Sequence, residues 1–393
     1  MWVIRPVAVT LGAMQPCTYT RIFPGNGVLM KRRYFVGGLA AAAGLTACAQ
    51  ESGTECAEGT SAKGEVFNWS MVTSWPPGFP GLGAGADNFA RRVGEASGGR
   101  LNIKVYAAGE LVPAFEVFDA VSRGTVEMGH DASYYHRGKV DAAQFFTAIP
   151  FGMNMFEMNA WLYYGGGLEL WRKLYEKHNL VPFPTGNTGV QMGGWFNREI
   201  NSVDDLKGLK MRIPGLGGEV LRRAGGTPVN LPGSEIFTSL STGAIDATEW
   251  VGPYNDLAFG LNKAAKYYYY PGWQEPAPAL ETIINAEAWA SLPDDLKAIV
   301  EITAQAITTD MAAEYTYGNT MSLQQLKQDP NVEIRRFPAD VLQRLKALAG
   351  EIVEEMANED PEVREIYDSF RAFQVVGEEY QRISEDAYLD TRN

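Results

Sequence analysis

Arg212 sits in the run Lys210-Met211-Arg212-Ile213-Pro214-Gly215, which reads as a short strand stopped by a turn. A guanidinium between Met211 and Ile213 has apolar neighbours and needs an anionic partner. Its planar fork suits a carboxylate through two parallel hydrogen bonds. That partner is either a bound organic acid or an acid of the protein itself. Further candidates stand at or near strand ends. Glu249 and Trp250 follow Gly243-Ala244-Ile245-Asp246-Ala247, where an acid beside a large aromatic can supply a cation ligand and an apolar wall. Glu275 lies in the stiff aromatic loop Pro271-Gly272-Trp273-Gln274-Glu275-Pro276, and Gln191 offers an amide oxygen from a neighbouring strand. Two carboxylates, an amide and a backbone carbonyl make the all-oxygen set that hard cations take; sodium or calcium then depends on coordination number and rigidity. Such a cation beside Arg212 would neutralise the acids and draw in an anion. Taken singly, each acid reads equally as an exposed charge or a helix cap.

Other chemistry finds little support. His130, His136 and His178 have no metal-ligand spacing and read as surface or packing residues, and Ser, His and Asp form no triad signature. Gly215-Leu216-Gly217-Gly218 follows a strand and precedes a helix, but Val220 stands where a dinucleotide loop has its third glycine, so it reads as a tight turn. Cys17, Cys48 and Cys56 all fall in the first 56 residues, which leaves the body without a thiol nucleophile, a disulfide framework or a Cys-ligated metal. No residue is expected to be catalytic.

The elements that must position these groups repeat. Phe118-Asp119-Ala120-Val121-Ser122-Arg123-Gly124-Thr125-Val126-Glu127 is echoed by Phe237-Thr238-Ser239-Leu240-Ser241-Thr242-Gly243-Ala244-Ile245-Asp246. Each predicts the end of an amphipathic helix, a left-handed glycine and a short strand carrying an acid. Polar and aromatic residues follow both strands, at the carboxyl ends where open α/β sheets bind ligands. Strands are expected over 65–72, 101–106, 126–129, 189–196, 210–213, 265–270 and 282–285. Helices are expected over 87–96, from Pro113, over 161–180 with a break at Gly165-Gly166-Gly167, and after Pro338 and Pro361. Another, from an N-cap at Ser291 with Asp294 in the capping box, runs to Leu326 and is long enough to lie along both lobes. A βαβαβ order implies parallel sheet covered by helices.

At 393 residues the chain exceeds one ordinary core, so two lobes are expected. The net charge is −13, and the charges of the first 47 residues (Arg5, Arg21, Lys31, Arg32, Arg33) are all basic, so the body is more acidic still. That balance argues against nucleic acid as a partner. Lys31-Arg32-Arg33-Tyr34-Phe35 followed by an apolar run too short to span a bilayer has the form of an export signal, with Arg32-Arg33 resembling a twin-arginine pair. Leu45-Thr46-Ala47-Cys48 resembles a lipobox, which makes Cys48 the expected lipidation site and residues 50–64 a tether. A periplasmic location follows, with Met1–Leu29 an upstream extension.

From about Phe67 onward the chain resembles the substrate-binding proteins of TRAP transporters, of the DctP type. Leu206-Lys207-Gly208-Leu209-Lys210-Met211-Arg212-Ile213-Pro214-Gly215 and Gly243-Ala244-Ile245-Asp246-Ala247 with Glu249-Trp250 carry the resemblance. Ala132-Ser133-Tyr134-Tyr135, Glu249-Trp250-Val251-Gly252-Pro253-Tyr254 and Lys266-Tyr267-Tyr268-Tyr269-Tyr270-Pro271-Gly272-Trp273 resemble the branch that binds 2-oxo acids with a metal cation. The resemblance implies that Arg212 clamps the carboxylate of a 2-oxo or 2-hydroxy acid such as pyruvate. It further implies that Gln191, Glu249, the Trp250 carbonyl and Glu275 hold a sodium or calcium ion, with the Trp250 ring and Tyr134 walling the pocket. That branch often has a second Trp where this chain has Gln274.

The expected fold is thus an α/β two-lobed periplasmic binding protein with a long lobe-spanning helix. Residues 1–47 form the extension and signal, and 48–64 the tether. Residues 65–157 plus 250–285 form lobe I, and 158–249 plus 286–393 lobe II. The expected role is a solute receptor that delivers a small organic acid to TRAP permease subunits and catalyses nothing, with a homodimer through the aromatic C-terminal helix an open option. The alternatives are an exported carboxylate-processing enzyme using Glu249 and Glu275, and a ligand-sensing receptor of the same fold.

Overall fold

A computed structural model describes residues 64–392, which lie within one compact unit. The expected export signal, tether and Cys48 lie outside the described residues. In chain order the strands are β1 Phe67–Thr73, β2 Leu101–Tyr106, β3 Met128–Asp131, β4 Leu180–Asn187, β5 Gly194–Phe196, β6 Lys210–Arg212, β7 Thr227–Val229, β8 Ala247–Thr248, β9 Tyr267–Tyr270, β10 Ala279–Asn285 and β11 Glu333–Arg336. The helices are α1 Leu82–Ala96, α2 Val117–Ser122, α3 Met155–Tyr164, α4 Gly167–Glu176, α5 Gly215–Arg223, α6 Gly233–Ser241, α7 Pro253–Phe259, α8 Ala286–Ser291, α9 Asp294–Leu326, α10 Ala339–Glu359 and α11 Pro361–Gln381. Among the described residues no helix is long and apolar enough to cross a membrane.

Two mixed sheets form, in the orders β2-β1-β3-β10-β4 and β11-β9-β5-β8-β6-β7. This is the α/β class expected. The parallel cores are equivalent, because β1 lies between β2 and β3 as β6 lies between β7 and β8. The echo is the crossover that makes them so. Gly124 and Gly243 both take left-handed φ, 70° and 74°, and turn the chain from α2 into β3 and from α6 into β8. The acid of each copy accepts a hydrogen bond from the strand alongside: Glu127 from the Ser70 N–H at 2.8 Å, Asp246 from the Lys210 N–H at 2.9 Å.

Several expectations change. The predicted helix over 161–180 is two helices, α3 and α4, stacked so that Trp161 and Trp171 both lie flat against Phe146. Strand β4, unforeseen, carries Pro182 and Pro184, which lack ladder N–H groups and suit the sheet edge it occupies beside β10. Residues 189–193 are loop, and only Gly194–Phe196 pairs as strand. Ser291 ends α8 instead of capping α9, which starts from Pro293. Sheet membership also departs from the expected lobes at two strands: β4 joins the first sheet and β9 the second. Both pairings join segments far apart in sequence, where local patterns carry no signal. The long helix is present as α9, 33 residues or about 50 Å. It touches both halves, for Thr308 bonds β4 at the Pro184 carbonyl (3.2 Å) and Tyr315 bonds Asn255 of α7 (2.8 Å).

Candidate functional site

Arg212 ends β6, held in register between Val229 of β7 and Thr248 of β8. Its side chain is 1 % exposed. Nη1 forms an ion pair with Glu249, Nε donates to the Leu231 carbonyl at 3.2 Å, and Nη2 faces the Tyr135 hydroxyl at 3.4 Å. The guanidinium also lies 5.0 Å over the Trp250 ring, a cation–π distance. The two partners left open by the sequence are thereby resolved in part. An internal acid takes one edge of the fork, while the Nη2 edge meets only a neutral hydroxyl.

Glu249 and Trp250 follow β8 directly, as their spacing required. Glu275 and Gln191 come from two loops tied together, with the Gln191 N–H donating to the Glu275 carbonyl at 3.2 Å and the Gly272 N–H to the Gln191 carbonyl at 3.0 Å. All three polar side chains are buried, and the atoms Gln191 Oε1, Glu249 Oε2 and Glu275 Oε2 have no hydrogen-bond partner. Burial, reinforced by the Glu249 charge, drives Glu275 well above the ordinary carboxylate range, with Arg212, Gln191 and Tyr134 acting the other way. Burial raises Glu249 as well, against the pull of Arg212. Burial also raises the Tyr134 hydroxyl well above its usual value.

Tyr134 belongs to a 3₁₀ turn, Ser133–His136, that follows β3. Gly215, with φ 58°, lets the turn after β6 come close: a Cβ there would stand 3.2 Å from the Tyr134 Cβ. Between the two sheets lies a small, narrow cavity. Trp75, Tyr134 and Tyr135 face it from the first half, and Gln191, Arg212 and Trp250 from across the cleft. On the outer side Arg137 reaches over to Glu219 of α5 at 3.0 Å and to the Gly215 carbonyl at 3.4 Å.

Every expected residue of the body therefore converges on one place: Arg212, Gln191, Glu249, Trp250, Glu275 and Tyr134. Sequence reading missed Tyr135, which meets Arg212, and Trp75, whose Nε1–H donates to His130 Nδ1 at 2.7 Å and so turns its ring to the cavity. It also missed Asp256, a buried acid that accepts from Trp195 and Tyr268 behind Val251. Tyr135 adjoins Tyr134, so adjacency to a chosen residue was the one available signal. Gln274 lies outside the cavity wall and donates to the Met192 carbonyl at 3.0 Å.

Whether a cation fits can be judged from the oxygens. Three buried, unpartnered side-chain oxygens from different segments are costly unless something positive meets them. Among the described residues no hydrogen bond reaches the Trp250 carbonyl either. An all-oxygen set with two carboxylates fits sodium or calcium and lacks the nitrogen or sulfur that softer ions prefer.

The chain is similar to known proteins over most of its length. Residues 71–360 match the family model of bacterial extracellular solute-binding protein, family 7. A monocarboxylate 2-oxoacid-binding periplasmic protein of Nostoc sp. is 43 % identical over 359 residues, covering 91 % of this chain and 98 % of the relative. A TRAP periplasmic solute-binding protein from Colwellia psychrerythraea, solved with calcium and pyruvate, is 44 % identical, covers 83 % of this chain and 100 % of its own, and superposes with a TM-score of 0.81. One from Pseudoalteromonas atlantica, solved with sodium and pyruvate, is 44 % identical, covers 83 % and 99 %, and gives 0.81. The chain belongs to the family 7 extracellular solute-binding proteins, the DctP family.

Proposed function

We propose that this solute-binding protein takes up a small 2-oxo monocarboxylate of the pyruvate class, or its 2-hydroxy analogue, together with a sodium or calcium ion, and presents both to a TRAP membrane permease. One observation carries the reading: Arg212 is buried at the wall of an inter-sheet cavity with one edge of its fork held only by a neutral hydroxyl. The ligand carboxylate would take that edge, with the Tyr135 hydroxyl as a second donor. Trp250 and Tyr134 would cover its short carbon chain, and Trp75, Leu82 and Leu280 complete a mainly apolar wall. Gln191, Glu249, Glu275 and the Trp250 carbonyl would hold the ion, which when bound supplies positive charge to the two acids and a hard partner for ligand oxygens. Resident charge thus favours an anion only once the cation is present.

Isothermal titration with pyruvate tests this. Wild-type protein should bind in calcium or sodium buffer and lose most affinity in chelator with a large organic counter-cation. Equal affinity in both would rule out the co-bound ion. Prolonged incubation should return pyruvate unchanged; any turnover would favour the exported-enzyme reading instead.

The export and assembly features belong to the same proposal. Arg32-Arg33 would direct twin-arginine export and Cys48 would be acylated, which intact-mass measurement of membrane-extracted protein checks. Val376, Tyr380, Ile383 and Tyr388 are exposed along the C-terminal helices, a run suited to pairing with a second copy. Light scattering of wild type and Ile383→Glu should give a dimer and a monomer.

A further inference from the structure

A second group of buried acids lies outside the ligand site. Asp131 ends β3 and stands directly opposite Glu281 of β10 in the antiparallel register. His136 closes the 3₁₀ turn that carries Tyr134 and Tyr135 and points its Nε2 between them, 2.8 Å from Glu281 Oε1 and 3.8 Å from Asp131 Oδ2. All three side chains are buried, and one ligand atom from each falls within 4.8 Å of the others. Asp131 Oδ1 is fixed by the Ser74 hydroxyl and the Ala132 N–H, both at 2.7 Å, whereas Asp131 Oδ2 has no hydrogen-bond partner and Glu281 is faced by the buried Tyr175 hydroxyl.

Two carboxylates facing each other across a buried strand pair repel, and a neutral imidazole does not balance them. Among the described ion pairs neither acid meets a lysine or arginine; Lys139, on the same segment, is engaged by Asp119 at 2.5 Å. Burial accordingly raises Glu281 to about 8 and Asp131 to about 6, and lowers His136 to about 4. Either a proton or a cation can relieve that repulsion. His136 Nε2 and Glu281 Oε1 are hydrogen-bonded at 2.8 Å, and the 3.8 Å gap from Nε2 to Asp131 Oδ2 is near the roughly 3.3 Å expected between ligands of a tetrahedral ion at about 2.0–2.1 Å. One imidazole with two carboxylates is a donor set for a borderline divalent ion. The Ser74 and Ala132 bonds orient the first acid as outer partners orient metal-bound carboxylates.

We propose that Asp131, His136 and Glu281 form a second cation site, separate from the ligand site, that takes one divalent ion of the zinc class and staples β3, β10 and the Tyr134–Tyr135 turn. Because the site is sealed, the ion enters during folding.

The test uses the full chain, unfolded, stripped with chelator and refolded with excess Co²⁺ or Zn²⁺ in calcium buffer. One equivalent per chain should survive dialysis, with X-ray absorption showing an oxygen and imidazole shell. Glu281→Gln and His136→Gln should each lose that equivalent while Arg212→Ala keeps it. No retained ion in wild type would overturn the proposal in favour of a shared proton. A sulfur shell would overturn it in favour of the N-terminal cysteines, and full retention in both variants would place the ion elsewhere. If the variants do not fold, the wild-type absorption spectrum decides alone, since an imidazole shell is required and its absence is fatal.

Discussion

The acid pairs Glu249/Glu275 and Asp131/Glu281 are both buried, but different groups stand beside them. The first pair has a guanidinium beside it that faces a cavity; the second has an imidazole and is closed in. A permanently charged fork with a free edge can receive an anion, and adjacent unpartnered oxygens can receive a cation at the same time. An imidazole between two carboxylates leaves room for positive charge only. Acid content alone therefore says little about what a buried cluster binds; the fixed cation and the open volume decide it.

The strongest way to break this contrast is Arg212→Ala. Removing one partner of a buried ion pair leaves the other stranded, an effect of about 3–5 kcal/mol. Pyruvate affinity measured by titration should fall at least ~100-fold, and a fall of less than tenfold would deny Arg212 its role. Next, Glu275→Gln removes a buried acid driven far above its ordinary range. Thermal unfolding without divalent ions should then show a gain of about 1–3 kcal/mol, together with loss of the calcium response. A variant that still responds fully to calcium would remove Glu275 from the ion site.

The pH dependence sharpens the same contrast. Acids whose folded values are raised stabilise the metal-free protein fully below the ordinary carboxylate range and lose that contribution as pH rises through their folded values. For Asp131 and Glu281 the loss runs from about 4 up through about 6 and about 8. If calcium replaces the proton at Glu249 and Glu275, as proposed, its stabilising shift in melting temperature should be larger at alkaline than at acidic pH. Equal shifts at both ends would mean these acids do not exchange protons for the ion. The smallest effect is expected for Arg137→Ala, which removes a half-exposed pair with Glu219 at the cleft. Such pairs contribute about 0–1 kcal/mol, so ligand dissociation in stopped flow should speed up no more than about fivefold.

Much of this was legible in the sequence because the informative groups sit next to punctuation. Arg212 precedes Pro214-Gly215, and Glu249 and Trp250 follow an echoed helix–glycine–strand. What stayed hidden depends on distant pairing. Strand β4 has prolines that argue against a strand until its edge position is known. His136 shows no ligand spacing because its partner Glu281 lies on β10, a strand that reaches β3 only through the folded sheet. Tyr135 resembles its neighbour Tyr134 in one dimension and differs only in where the turn points it.

The acids of the duplicated crossover, Glu127 and Asp246, have a mechanical consequence. Each fastens its own crossover to the strand alongside through a backbone N–H, so each half carries an internal stitch that owes nothing to the opposite half. In any closure of the cleft, pieces stitched separately would move as units, with the bending left to the segments that run from one to the other.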